Sequence, residues 1–457
     1  MNKTLVIKLL ALASMALILI FALLRIEWKV QERKTTRDNA VSGIARQYAE
    51  SQQQAGPLLW LHCSETQTLA RLDEKNQPRL EQVQSDCSRT LRPAQLVAKG
   101  RLDVEERQRG IYKARLYLAR LRLESRFEGF ALDLKPNQTL KGAYWIFSVS
   151  DPRGLKRITV RDEHGKAMTV EPGTAGSPME SGFHIAVSPE SLGSPQTLTA
   201  DIELAGSGRF DWLPVARQND FSLASRWPHP GFSGNYLPET RTISDQGFEA
   251  RWRINDFATG GDAVLNRAHA AVAEAGEYVA PANQPTGFRH AFGVSLIDPV
   301  DAYVQSDRAV RYGFLFILLT LGGFFLFELL KRKPLHPLQY LLIGFAVVVF
   351  FLLLLALSEH IGFLAAYLAA AAACTVLIAA YGRTLLGSWQ ASGILGTGYG
   401  LLYAGLYQLL TSEDHALLMG AWLTFGVLAL TMYLTRRLNW QEIGQAPQPV
   451  SAGLRSE

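Results

Sequence analysis

The sequence predicts an α-helical membrane protein with a large extracytoplasmic all-β, sandwich-like domain inserted between span 1 and spans 2–6. Three observations carry this. Five long apolar runs lie between Tyr312 and Thr435. Each is long enough to supply the ~20 helical residues that cross a hydrocarbon core of about 30 Å. A sixth apolar run, Leu9 to Leu24, carries no charge and lies near the other end of the chain. The charged stretch between them alternates short runs of period two with turn residues, the pattern of half-buried strands. The averages, 19% charged and 48% hydrophobic with a net charge of +5, hide this division. The expected boundaries are 1–28 for an anchor, 29–310 for the β-rich domain, 311–437 for a five-helix unit and 438–457 for a cytoplasmic tail.

Taken in order, the first span is extended by Leu5, Val6 and Ile7, with Lys8 free to snorkel to the interface. It ends in Phe21-Ala22-Leu23-Leu24-Arg25-Ile26-Glu27-Trp28. That end is too bulky for a small-x-small cleavage site, so it reads as a retained anchor instead of a removed signal. The breaks between the five later runs fall at Glu328 to Pro337, Glu359-His360, Arg383 and Glu413-Asp414-His415. The first and third hold Lys331, Arg332, Lys333 and Arg383; the second and fourth hold only acid and histidine, and Arg436-Arg437 follow the last run. Short loops rich in Lys and Arg stay in the cytoplasm. Both termini are therefore expected inside and the middle of the chain outside. Arg25, Lys29, Arg33, Lys34 and Arg37 follow the first span on the outer side and oppose this orientation. Long domains, however, are translocated largely regardless of charge.

The segment Glu27 to Gln54 is polar and expected either to continue the first helix outward or to form a stalk, ended by Gly56-Pro57. Leu58 to Leu61 reads as a first buried strand, and Arg71 to Pro93 as a long loop or irregular hairpin. From Gly110 the period becomes two. Strands are expected around Tyr112 to Leu118, Tyr144 to Ser150, Leu155 to Asp162, Phe183 to Val187, Thr197 to Leu204, Phe221 to Trp227, Phe248 to Ile254 and Ala291 to Leu296. Turn signals such as Asp151-Pro152-Arg153-Gly154 and Gly206-Ser207-Gly208 separate them, which indicates a sandwich or two joined sheets. Asp262 to Gly276 is alanine-rich and reads as a short helix or a mobile insertion.

Cys63 and Cys87 lie in the outer domain, where an oxidising space makes them candidates for a disulfide; the alternative is two unrelated buried thiols. Cys374 sits inside an apolar run as a small apolar side chain. Trp227-Pro228-His229-Pro230 is the most distinctive soluble motif: either a rigid recognition corner for a partner or glycan, or a structural corner with His229 capping a turn. Glu359 and His360 are candidate functional residues at the outer membrane edge, where ionisable groups mark function or simply sit where loop charge costs least. Glu413 and His415 join them on the expected outer rim. Glu328 is expected to pair with Lys331 and Arg332 one turn on. No phosphate-cradling loop, His-x-x-x-His pair, Gly-x-Ser-x-Gly elbow or Cys-x-x-Cys occurs, so no catalytic residue, cofactor or metal is expected. Much of the basic excess lies at membrane edges and does not indicate nucleic acid; the expected partners are the lipid bilayer and an envelope protein or glycan.

Several stretches resemble the CreD family of bacterial inner-membrane proteins, also described as colicin E2 tolerance proteins. The resemblance runs from Val104-Glu105-Glu106-Arg107-Gln108-Arg109-Gly110, expected as a turn into the first long strand, through Ser150-Asp151-Pro152-Arg153-Gly154. It is densest at Ser225-Arg226-Trp227-Pro228-His229-Pro230-Gly231-Phe232 and returns at Asp307-Arg308-Ala309-Val310-Arg311 and Leu335-His336-Pro337-Leu338-Gln339-Tyr340. It implies a Gram-negative cell-envelope protein made under a two-component stress response, with no established reaction. The favoured function is a non-enzymatic envelope-integrity factor acting through its outer β-domain. The rivals are a small-solute or proton-linked transporter, which needs buried mid-membrane charge, and an envelope lipid- or glycan-modifying enzyme, which needs an acid–base pair.

Overall fold

A computed structural model describes residues 3–72, 78–261, 291–297, 301–331, 335–411 and 416–436. The chain divides into two compact units, Met1–Asp38 with Val300–Glu457, and Asn39–Pro299. Asp262 to Gly276, Glu413 to His415 and 437–457 lie outside the described residues.

The first unit is helical. Helix α1 (Lys3–Tyr48) is continuous over 46 residues and supplies the first connection to the second unit. Its buried apolar residues, Met15, Leu19, Leu23, Ile26 and Val30, recur every three or four positions and form one stripe. Leu10, Leu17, Phe21 and Leu24 on other faces stay exposed, as lipid-facing residues do. The remaining long helices are α2 (Ala302–Lys331), α3 (Pro337–Ile361), α4 (Phe363–Leu386), α5 (Trp389–Thr411) and α6 (Ala416–Thr435). Gly344 of α3 lets Leu19 of α1 pack against its bare backbone, since a Cβ there would stand 2.2 Å from a Leu19 methyl. Among the described residues, Leu10–Tyr48, Ala302–Glu328, Pro337–Ile361 and Phe363–Leu385 are long and apolar enough to cross a membrane. Helices α5 and α6 are 23 and 20 residues long.

Two expected breaks shift. Glu359 and His360 fall in the last turn of α3, and the break is Gly362 at φ 79°. Likewise α4 runs past Arg383 to Leu386 and stops at Gly387, which is left-handed. Glycine adopts positive φ without a Cβ clash, so it ends a helix where a charged residue need not.

The second unit is built from two mixed sheets. One follows the order β12 (Pro230–Gly234), β15 (Phe292–Leu296), β10 (Arg209–Trp212), β1 (Gln52–Leu72), β5 (Gln138–Val149), β8 (Gly182–Ala186) and β7 (Glu171–Pro172), with β2 (Pro78–Leu91) also paired to β1. The other follows β13 (Thr240–Ser244), β14 (Gly247–Asn255), β11 (Gln218–Ser225), β3 (Gln95–Arg109), β4 (Tyr112–Phe127), β9 (Gln196–Ser207) and β6 (Leu155–Arg161). The pairs β1·β10 and β3·β11 are parallel. Alternation of buried residues with half-buried ones along β11, and with exposed ones along β14 from Phe248, sends one face inward. The sheets meet through aromatic contacts, Phe127 with Trp145 at 4.1 Å and Trp212 with Phe221 at 4.8 Å.

Three expectations about this unit need correction. The helix ends at Tyr48, because Gln52, Gln53 and Gln54 are taken into the β1 ladder opposite Phe210, Asp211 and Trp212. Gly56-Pro57 therefore lies within a strand, at a bulge between Ala55 and Leu58. A Cβ on Gly56 would meet the Ile146 carbonyl at 2.6 Å, which requires glycine there. Arg71 to Pro93 holds the returning strand β2 of a hairpin, as one of the two expectations had it, but the pairing is regular, in register with β1 from Leu59↔Leu91 to Leu72↔Pro78. Val104 to Arg109 is strand, and the turn falls at Gly110-Ile111.

Candidate functional site

Ser225 closes strand β11 in one sheet, and Pro230 opens β12 on the edge of the other, so Trp227 to His229 link the two sheets. Trp227 is partly buried; its Nε1 donates to the His229 carbonyl at 3.1 Å. The Arg115 guanidinium lies 4.8 Å from its ring centroid, a cation–π contact that holds the indole against β4. Ile297 N–H also donates to the His229 carbonyl, at 3.2 Å. The corner is thus closed by the His229 main chain, while its exposed imidazole stands edge-on to Trp227 with centroids 6.2 Å apart. Two prolines suit an edge strand and its entry, where no ladder N–H is needed.

The Ser150-to-Gly154 stretch has a mechanical role in the same unit. The Arg153 guanidinium donates to the Arg46 carbonyl in the last turn of α1 at 2.8 Å. A cation at a helix C-terminus complements the free carbonyls there. Asp151 accepts from Arg153 Nε (2.8 Å) and Nη2 (2.7 Å) and from Glu50 N–H (2.9 Å). The Arg153 bonds hold its carboxyl below the usual carboxylate range, against a smaller opposing effect of burial. Behind it the buried Gln52 amide donates to the carbonyls of Asp151 and Ala205, both at 3.0 Å.

In the helical unit, Glu359 meets Arg33, one of the cations after the first span that oppose the expected orientation. Its Oε1 accepts from Tyr303 Oη at 3.0 Å and lies 3.7 Å from Arg33 Nε; its side chain is 9% exposed. Arg37, one turn beyond Arg33 on α1, pairs with Asp301 and stacks 5.3 Å from the Tyr303 ring. Asp301 Oδ1 also accepts from Tyr303 N–H at 3.0 Å, at the start of α2. This cluster adjoins both points at which the chain leaves the helical unit, Asp38 and Val300. The i,i+4 spacing of Arg33 and Arg37 was the available sequence signal. His360 is exposed, and Glu413 and His415 lie outside the described residues.

At the other end of the same helices Glu328 pairs with Lys8 of α1 and accepts from Tyr340 Oη at 2.6 Å. The expected pairing with Lys331 and Arg332 rests on side chains outside the described residues. A partner on another helix offsets the cost of half-burying the carboxylate. Lys8 to Arg33 and Tyr303 to Glu328 each span about 25 residues, or ~38 Å of helix. That exceeds a hydrocarbon core of about 30 Å, the separation that a pair of spanning helices needs between polar ends.

Cys63 and Cys87 face each other across the β1–β2 hairpin and are joined by a disulfide, with Cα atoms 4.9 Å apart. Cys374 is a buried free thiol. Among the described residues no three His, Cys, Asp or Glu side chains gather as metal ligands would.

This arrangement of helices and β unit can be set beside known proteins. The family described as inner membrane protein CreD matches residues 4–441. The inner membrane protein CreD of Escherichia coli (strain K12) is 34% identical over 439 residues, which cover 95% of this chain and 93% of that one. A match of that extent takes in both units and every cluster described above, and the chain belongs to the CreD family: a multi-pass inner-membrane protein with a large extracytoplasmic β-domain.

Proposed function

We propose that the protein is a non-enzymatic cell-envelope integrity factor in which the periplasmic β-domain and the outer edge of the helix bundle work as one unit. Its six long helices cross the membrane, with both termini in the cytoplasm. The β-domain engages an envelope protein or glycan close to the membrane, and the Trp227–Phe232 corner contributes to that contact. The observation that carries this reading is the polar cluster of Arg33, Arg37, Asp301, Tyr303 and Glu359. It joins the two chain segments that lead to the β-domain, α1 and the start of α2, to the end of α3. A cluster in that position would couple any load on the domain to the bundle, which a plain anchor does not need. The partly buried carboxylate is costly unless paired, and removing one member of such a pair costs more than an exposed ion pair is worth.

The test is complementation of a strain lacking the protein. Replacing Glu359 and His360 with Ala should weaken envelope protection without lowering protein level, and so should replacing Trp227 and His229. Full rescue by the β-domain on an unrelated single-span anchor would reduce the bundle to an anchor and end this reading.

A further inference from the structure

The outward face of the seven-stranded sheet carries a groove of about 630 Å³, apart from the clusters described above. It crosses the strands instead of following them. Its central row runs Thr240, Arg251, Ser222 and Lys99 on β13, β14, β11 and β3, each the register partner of the next. Three inter-strand spacings of about 4.8 Å make this row ~14 Å long. Asp220 and Glu249 flank it, and Thr242 stands opposite Glu249.

The charges in this groove are not all paired. Arg251 and Asp220 form a two-point pair, with Nε to Oδ1 at 2.8 Å and Nη2 to Oδ2 at 2.5 Å, and are occupied with each other. Lys99, Arg241 and Glu249 also border the groove and form no ion pair among the described residues. The next residue in the row beyond Lys99 is a second cation, Arg122 on β4, whose Nε lies 3.5 Å from Glu124. Arg122 is relieved by Glu124, and Asp220 feels the Lys99 charge, but no carboxylate lies within ion-pairing distance of the Lys99 ammonium among the described residues. The lining is otherwise hydroxyl groups, with Val97 and Ala250 its only apolar residues. An apolar ligand finds no wall there. A peptide lying across the strands finds no free ladder edge for its main chain, the usual source of affinity when a sheet recognises a peptide.

We propose that this groove binds an anionic glycan, a sugar chain bearing carboxylate or phosphate groups, with Lys99 as the principal anion contact, Ser222, Thr240 and Thr242 as hydroxyl partners, and Glu249 setting a limit on affinity by repulsion. The proposal deepens the functional reading above, which left the envelope partner as protein or glycan. Its test does not depend on membrane topology, so the two can fail separately.

The full-length protein in nanodiscs is titrated with a short oligogalacturonate, with a phosphorylated maltooligosaccharide of the same length, and with the unmodified maltooligosaccharide. One or both anionic chains should bind, more weakly as salt rises, and the tighter of the two identifies the anion. Lys99→Gln should weaken binding about tenfold, the scale of one charge-assisted hydrogen bond. Glu249→Gln should tighten it about twofold to threefold. Both side chains are exposed, so both variants should keep the parent's thermal midpoint. The proposal is overturned if neither anionic chain binds, if the neutral chain binds as well as they do, or if the two variants fail to move affinity in opposite directions.

Discussion

Two aspartates in the β unit have opposite electrostatics and should give opposite pH signatures. Asp151 is held below the ordinary carboxylate range by Arg153, so the unfolded chain takes up its proton more readily than the folded one. Its contribution is complete above the unfolded value near 3.8 and is lost as pH falls through the lower folded value. Asp211 is pushed the other way by burial, partly offset by Arg209 Nε at 2.6 Å, and its Oδ1 has no hydrogen-bond partner. Its charge is a penalty at neutral pH that eases as pH falls into its raised titration range. Asp151→Asn should therefore destabilise the unit by about 1–2 kcal/mol at pH 7, with the loss fading below pH ~4. Asp211→Asn should be neutral or stabilising at pH 7 and lose that advantage on acidification. Thermal unfolding of both variants against pH checks the signs; parallel profiles would refute the assignment.

Among the elements, the β1–β2 hairpin depends on its disulfide for a visible reason. β5 supports β1 only as far as Glu65, opposite Gln138; the Thr66 N–H still donates to the Asn137 carbonyl at 2.9 Å, and beyond it Gln67 to Leu72 pair with β2 alone among the described residues. A two-stranded ribbon is marginal in water, and the Cys63–Cys87 bond lies where the third strand is about to run out. Closing a loop of this length stabilises the folded state by roughly 3 kcal/mol on the chain-entropy model. Replacing both cysteines with Ser should cost about that much and open the hairpin to protease between Thr66 and Gln84 first. Thiol labelling of denatured, unreduced protein should modify Cys374 alone; label on Cys63 or Cys87 would mean that the bridge does not form in the cell.

For the whole molecule the decisive prediction is orientation. An alkaline phosphatase fusion after Asn219 should be active and one after Leu438 inactive, because the basic residues Lys331, Arg383 and Arg436 mark the cytoplasmic side. The cations after the first span, which opposed this orientation, include Arg33 and Arg37. Both have carboxylate partners, Glu359 and Asp301, so their charge is largely neutralised where it would otherwise have to be accommodated outside. An inactive fusion after Asn219 together with an active one after Leu438 would invert the protein and remove the periplasmic assignment of the β unit.

The long apolar runs, the period-two stretches and the turn residues marked the helices and most strands, because burial against lipid or a sheet partner imposes a periodicity that a single chain displays. Six strands, β6, β8, β9, β11, β14 and β15, were anticipated within about three residues of their ends; β1, β4 and β5 run well beyond the stretches expected, and β3 and β10 were not anticipated. Neither were the short edge strands β12 and β13, since Pro230 to Gly234 and Thr240 to Ser244 have no apolar alternation and are strands only because β15 and β14 offer them a ladder. The same holds for Gln52 to Gln54, helix-compatible in isolation and strand in context. Of the candidate residues, Glu359 was legible as a charge at a membrane edge, and Trp227 and His229 as a proline-bounded corner. That Glu359 meets Arg33 and Tyr303, that Lys8 meets Glu328 across 320 positions, and that Arg115 stacks on Trp227 could not be read from spacing. Contacts between distant segments depend on which helix faces and strand registers meet, and only the packed fold determines those.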